Sequence, residues 1–157
     1  MALVQPPVAR AQMLIRRPVA DVWAAFVDPA ITTRFWFSHS SGPLTPGAQV
    51  RWDWALYGAS TEVTVRDADP EARLEIAWGD PARRVEWLFT PRPDGTTLVR
   101  ITEQGFAGGD DEQVAQALDA QGGFTNLLAG AKAWLEHGLA LGLVGDQHPD
   151  AHVSAGG

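Results

Sequence analysis

Five stretches in the middle of the chain alternate apolar and polar residues with a period of two. Val50, Trp52, Trp54 and Leu56 alternate with Arg51, Asp53 and Ala55. Thr61, Val63 and Val65 alternate with Glu62, Thr64 and Arg66. Leu74, Ile76 and Trp78 alternate with Glu75 and Ala77, and Val85, Trp87 and Phe89 with Glu86 and Leu88. Thr97 to Gln104 forms the fifth. This period marks strands with one buried and one wetted face. Turn residues separate them: Tyr57-Gly58, Asp67 to Pro70, Gly79-Asp80-Pro81 and the hairpin signal Asp94-Gly95. Sequential strands with short turns predict an antiparallel meander.

The flanks carry other patterns. Val8 to Arg17 reads as a first strand. Pro18 opens a helix, since its missing N–H does no harm in the first helical turn. Val19, Val22, Trp23 and Phe26 share one face of that helix. Asp28-Pro29 ends it, because proline pushes the preceding residue out of the α region. A second short helix is expected from Ala30 to about Phe37, and a loop from Ser38 to Gly47. From Asp111 the period changes to 3.6. Phe124, Leu127, Leu128, Ala131, Leu135 and Leu139 mark a long helix, with Gly122-Gly123 loosening its start. Asp111 to Ala120 reads as a helical turn leading into it. The chain is therefore expected to be α+β. A curved antiparallel six-stranded sheet carries two short helices between strands one and two. Its apolar face needs a cover, and the long C-terminal helix is the large element available. Residues 1–157 read as a single domain, with 145–157 as a fraying tail of small and polar residues.

Composition narrows the function. At 157 residues the chain can bury a core without a staple, and it has no cysteine, so disulfide and thiolate chemistry are excluded. Its formal net charge is -7 and no run of Lys and Arg occurs, which argues against nucleic acid as a partner. No apolar run is long enough to span a bilayer, so no membrane insertion is expected. The first residues, MALVQPPVARAQ, lack the pattern of a secretory leader, and a cytoplasmic protein is expected. There is no Gly-rich phosphate loop, nucleophile-elbow serine or His-Glu-x-x-His motif, and no cofactor is expected. His148 and His152 have no third ligand in spacing, so no metal site is read there.

Tryptophan is the unusual component. The chain holds seven, with one tyrosine, and four fall between Trp52 and Trp87. By parity Trp52, Trp54, Val63, Ile76, Trp78, Val85, Trp87, Phe89, Val99 and Ile101 point toward the final helix, where Phe124, Leu128 and Trp134 face them. A filled aromatic core is one reading. Four indoles on a concave face are hard to pack without gaps, and a cavity for an apolar ligand is the other. Glu103 shares the apolar parity of Val99 and Ile101. Burial disfavours the charged form of a carboxylic acid, so it could serve as acid–base group or ligand anchor. Alternatively it ends the strand near solvent or pairs with Arg51 or Arg100. His39 belongs to a solvated loop or to the cavity mouth. Phe35, Trp36 and Phe37 cannot all face one core, so at least one is expected at an opening or a partner surface.

The order of these elements, with particular residues, resembles the START-like helix-grip superfamily, also called SRPBCC, in its AHSA-like branch. The resemblance is carried by Pro18-Val19-Ala20-Asp21-Val22-Trp23, Asp28-Pro29, Phe35-Trp36-Phe37 and Pro46-Gly47. It continues through Asp69-Pro70-Glu71-Ala72-Arg73-Leu74, Ala77-Trp78-Gly79, Asp94-Gly95-Thr96, Thr102-Glu103-Gln104-Gly105-Phe106 and Gly123-Phe124. It spans residues 8 to 142. Where many relatives carry histidine before Gly-Phe, this chain has Glu103. The branch is named for activators of a heat-shock-protein ATPase. The resemblance implies a cavity between sheet and C-terminal helix for a lipid-like, polyketide or aromatic molecule. The candidate ligand-binding residues are Trp36, Phe37, Trp52, Trp54, Val63, Trp78, Trp87, Ile101, Glu103, Phe106, Phe124 and Leu128. The expected function is binding of a small apolar molecule. A co-chaperone-like interaction module, with a protein partner or a homodimer, is the next reading. A cyclase- or hydrolase-type enzyme using Glu103 as its catalytic acid–base is the third, and enzyme activity is not favoured.

Overall fold

The computed structural model describes residues 2–153. Seven strands form one antiparallel sheet: β1 (Ala9–Ile15), β2 (His39–Ser40), β3 (Gln49–Trp54), β4 (Ala59–Asp69), β5 (Arg73–Trp78), β6 (Arg83–Pro91) and β7 (Thr97–Gln104). Their order across the sheet is β1-β7-β6-β5-β4-β3-β2. The meander thus closes with the first strand beside the last. Two short helices, α1 (Val19–Val27) and α2 (Pro29–Thr32), follow β1, and the long α3 (Asp110–His137) follows β7. This is the expected α+β helix-grip fold. The strand count is corrected from six to seven. The added β2 has only two residues, His39↔Asp53 and Ser40↔Trp52 against β3, too few to show a period.

Alternation places the core where parity predicts. Val50, Trp52, Val63, Val65, Leu74, Ile76, Val85, Trp87, Phe89, Val99 and Ile101 are buried on the concave face. Leu56 departs from its expected strand position: it lies in a 3-10 turn, Ala55–Tyr57, and is 52% exposed. β4 also continues through the expected turn at Asp67, because a bulge between Val65 and Asp67 shifts its register and hides the period. On the convex face Arg73 ties three strands together, reaching Asp67 at 2.6 Å, Glu75 at 2.8 Å and Glu86 at 2.6 Å.

The short helices plug one end of the sheet. α1 buries Val22, Ala25 and Phe26, and Trp23 packs edge-on to Phe89 with centroids 5.2 Å apart. α2 is shorter than the expected Ala30–Phe37. The Asp28 carboxylate caps it by accepting the Ala30 N–H at 3.0 Å, and the chain turns out of it at Thr33. Leaving the helix there sends Phe35 and Phe37 inward on either side of Trp36.

α3 is one unbroken 28-residue helix, so Asp111 to Ala120 is its first half and Gly122-Gly123 do not interrupt it. It ends at His137 with Gly138 in the left-handed conformation (φ 66°), which leaves Leu139 outside the helix and 54% exposed. Lys132 Nζ donates to the Leu14 carbonyl at 2.8 Å and to Glu136 at 2.6 Å. Burial works against the charge of Glu136. The Arg16 N–H and Lys132 outweigh it and hold that carboxyl below the ordinary glutamate range. Trp134, expected to face the strands, is half-buried, with the Arg34 guanidinium 5.5 Å over its ring. Beyond α3, residues 143–151 form α4 (Leu143–Gln147) and a 3-10 turn (Pro149–Ala151), folded back onto the β3–β4 connection. Residues 154–157 of the expected tail lie outside the described residues.

Candidate functional site

Five strand ends meet at the edge of the sheet opposite α1. Trp54 and Ala59 face each other across the β3–β4 hairpin, Trp78 and Arg83 across the β5–β6 hairpin, and Glu103 sits beside Val85 near the end of β7. The first half of α3 passes over this end and presents Gln116, Asp119, Ala120, Gly123 and Phe124 toward it, the spacing of one helical face. Between them lies a cleft of about 480 Å³, whose walls also include Trp36, Tyr57, Phe106, Val144, Gln147 and His148. The space exists because small residues, Ala120 and Gly123, stand opposite large rings. A Cβ built on Gly123 meets nothing within 4 Å.

The aromatic wall is a continuous packed sheet of rings. Trp36 contacts Trp54 at 5.9 Å and Trp78 at 6.0 Å, and Trp78 stacks on Phe124 at 6.3 Å. Its polar centre is Glu103, 2% exposed. Trp78 Nε1 donates to Glu103 Oε2 at 2.5 Å and Arg83 Nε donates to the same oxygen at 3.1 Å. The partner is therefore Arg83, not Arg51 or Arg100. Arg51 pairs with Asp53 at 2.9 Å, and Arg100 donates to Gln12 at 3.2 Å on the outer face. An ion pair closed on one side by an indole N–H fixes the carboxylate in place and leaves its second oxygen toward the cleft.

Of the residues singled out from sequence, Trp36, Trp54, Trp78, Glu103, Phe106 and Phe124 are brought together on the cleft wall. Phe37, Trp52, Val63, Trp87, Ile101 and Leu128 are not; each is at most 2% exposed and forms the packed layer behind. Phe37 stacks on Trp52 at 4.8 Å, and Trp87 meets Phe124 at 6.4 Å. His39 stays on the outer edge, 3.3 Å from Asp53 and away from the cleft.

Sequence reasoning missed Arg83, Tyr57 and His148. Arg83 shares the parity of Val85 and Trp87, which was the available signal. The turn residues Gly79-Asp80-Pro81 just before it mask that signal, so the strand reads from Val85. Tyr57 and His148 carry no periodic signal. Tyr57 donates its hydroxyl to the Val144 carbonyl and reaches the Gly145 carbonyl at 3.3 Å. The Val153 N–H donates to the Leu56 carbonyl at 2.8 Å. These bonds hold α4 across the cleft mouth as a strap. A smaller cavity of about 210 Å³ lies on the other side of Trp36, Trp54 and Tyr57, also under the strap. Among the described residues no cluster of three His, Asp or Glu could hold a metal, and no helix is long and apolar enough to cross a membrane.

The fold is that of the helix-grip class. Residues 16–136 match the family model "Activator of Hsp90 ATPase homolog 1-like protein", and the chain belongs to that family. Solved structures agree. Protein SSP2350 from Staphylococcus saprophyticus is similar at 28% identity and TM-score 0.75, over 86% of this chain and 96% of that one. DynU16, a protein of the dynemicin biosynthetic locus, is similar at 23% identity and TM-score 0.75, over 85% of this chain but 48% of its own. The Aha1 dimer from Colwellia psychrerythraea shares the fold at 14% identity and TM-score 0.72, covering 84% of this chain and 98% of its own. Among curated proteins none matches the sequence.

Proposed function

We propose that this chain binds a small, largely apolar molecule, aromatic or lipid-like, in the cleft between the strand ends and the first half of α3. The observation that carries the reading is a space of about 480 Å³ walled by Trp36, Trp54, Trp78 and Phe124, with one ion pair set among the rings, the buried Glu103 to the half-buried Arg83. Ligand pockets typically fall in the range of roughly 300–1,000 Å³ and combine apolar walls with a few fixed polar groups. The apolar body would lie on the indoles, and the polar end would meet Glu103. The strap of α4 would limit exchange with solvent. A carrier or sensor fits this arrangement better than an enzyme, because Glu103 is already held by Arg83 and Trp78 and no second acid–base group among the described residues hydrogen-bonds to it.

The test is a titration of intrinsic tryptophan fluorescence with fatty acids, flavonoids and sterols. Trp36, Trp54 and Trp78 border the cleft, so a bound ligand should give a saturable change in emission. Absence of any saturable response across the panel would remove the proposal. Co-purification with a chaperone, with no small-molecule response, would favour an interaction module instead.

A further inference from the structure

The head group of the ligand is set by how Glu103 is bonded. Resting on the binding reading above, we infer that the cleft selects ligands whose polar end is a neutral hydrogen-bond donor, a hydroxyl or phenol, and rejects carboxylates. Both donors that reach Glu103, Trp78 Nε1 at 2.5 Å and Arg83 Nε at 3.1 Å, converge on Oε2. Oε1 accepts no hydrogen bond from the described residues, and it is not among their sealed-off unpartnered polar atoms, which are the Trp52 and Trp87 indole nitrogens, so it keeps contact with the cleft. A carboxylate oxygen open to the cleft bonds water in the absence of ligand, and a ligand hydroxyl placed against Oε1 replaces that water with a direct charge-assisted hydrogen bond.

The charges around the cleft point the same way. The guanidinium of Arg83 already serves Glu103. Asp119, from α3 across the cleft, adds a second carboxylate. The remaining titratable groups on its wall are His148 on the strap and the Tyr57 phenol. An ionised ligand carboxylate at Oε1 would therefore meet the like charge of Glu103 directly and that of Asp119 through solvent, with one cation that already donates to Glu103. A hydroxyl has the donor the site lacks and no charge to desolvate. Ligands without a donor would leave Oε1 unsatisfied, and sites built to bond a hydroxyl discriminate strongly against analogues that lack it.

The experiment compares naphthalene-2-methanol, 2-naphthoate and 2-methylnaphthalene by calorimetry at neutral pH on the wild-type chain. The alcohol is expected to bind at least about tenfold tighter than either of the others. In Glu103→Gln, whose amide can donate as well as accept, the preference for alcohol over naphthoate should fall to within about threefold. Asp119→Asn, at an exposed position on the cleft rim, should narrow the naphthoate gap by a smaller factor and serves where Glu103→Gln fails to fold. Naphthoate binding as tightly as the alcohol overturns the selection and leaves the cleft a binding site. If none of the three binds, the cleft reading falls and the selection falls with it.

Discussion

Trp52 and Trp87 lie on the same concave face as Trp54 and Trp78, yet the first pair is 1% exposed and the second pair half-buried at a cleft. The sheet does not make this difference, since all four alternate in the same sense along neighbouring strands. The cover makes it. Opposite Trp52 and Trp87 stand Phe37 and Phe26, sent inward by the turn after α2 and by α1, and the inner side of the Trp36 ring also meets both. Trp54 and Trp78 also touch Trp36, and Trp78 stacks on Phe124, but the rest of their cover is Ala120 and Gly123 of α3 and the strap residues Val144, Gln147 and His148, with open space between. The cavity is thus an omission on the helix side. The first pair is packed so tightly that both indole N–H groups lack a hydrogen-bond partner among the described residues. That cost is tolerable only where the rings gain much by burial.

The comparison is broken most directly by truncating one ring from each pair. Trp87→Ala should cost about 3–5 kcal/mol, the usual range for emptying a fully packed aromatic site. Trp54→Ala should cost less than half of that, about 1–2 kcal/mol, because part of its ring faces the cleft already. Urea denaturation of both variants reads the difference. Equal losses would mean that the two pairs are one core and that the cleft is not an edge of it.

Filling the omission is the next largest effect. Gly123 lies inside α3 at a helical φ, with open space where its Cβ would be. Gly123→Leu should project a side chain into the cleft and weaken ligand binding at least tenfold, about 1.4 kcal/mol. Its stability should hold or rise, since glycine in a helix interior is unfavourable by about 1 kcal/mol. Gly122, the next residue back, is exposed and also meets nothing within 4 Å. Gly122→Ala should therefore stabilise by about 0.5–1 kcal/mol and leave binding unchanged. Fluorescence titration alongside thermal melts separates the two glycines. Loss of binding in both would show that helix rigidity, not space, controls the site.

These contrasts also mark what the sequence could convey. A period of two reports which face a side chain takes. It assigned Trp52, Trp54, Trp78, Trp87 and Glu103 to the concave side, where they are found. Parity says nothing about what stands opposite, so packed and open indoles looked alike, and Trp52, Trp87, Val63 and Ile101 were grouped with the cleft. The 3.6 period found α3 but weighted its apolar second half. The polar stripe of Gln116 and Asp119 in the first half, which roofs the cleft, lacks the apolar signal and reads only as a helical turn leading into the helix. Elements held by one or two backbone bonds, β2 and the strap, have no period at all. Arg83 was recoverable from parity alone and was hidden by the turn residues before it.

The smallest predicted effect concerns the strap, and it asks whether the half-buried pair owes its remaining shelter to α4. The Tyr57 hydroxyl donates to the Val144 carbonyl, and Val144 borders both cavities beside Trp54. Tyr57→Phe keeps the ring and removes the donor, so the carbonyl must find water instead. The loss should be about 1 kcal/mol, the net worth of one hydrogen bond. Because the Val153 N–H to Leu56 bond remains, the strap should loosen without detaching. Acrylamide should then quench the cleft-side indoles more strongly while Trp52 and Trp87 stay protected, and hydrogen exchange should accelerate over residues 143–153 with α3 unchanged. Unaltered quenching would mean that α3 alone shelters the cleft, and the strap would drop out of any account of how a ligand enters.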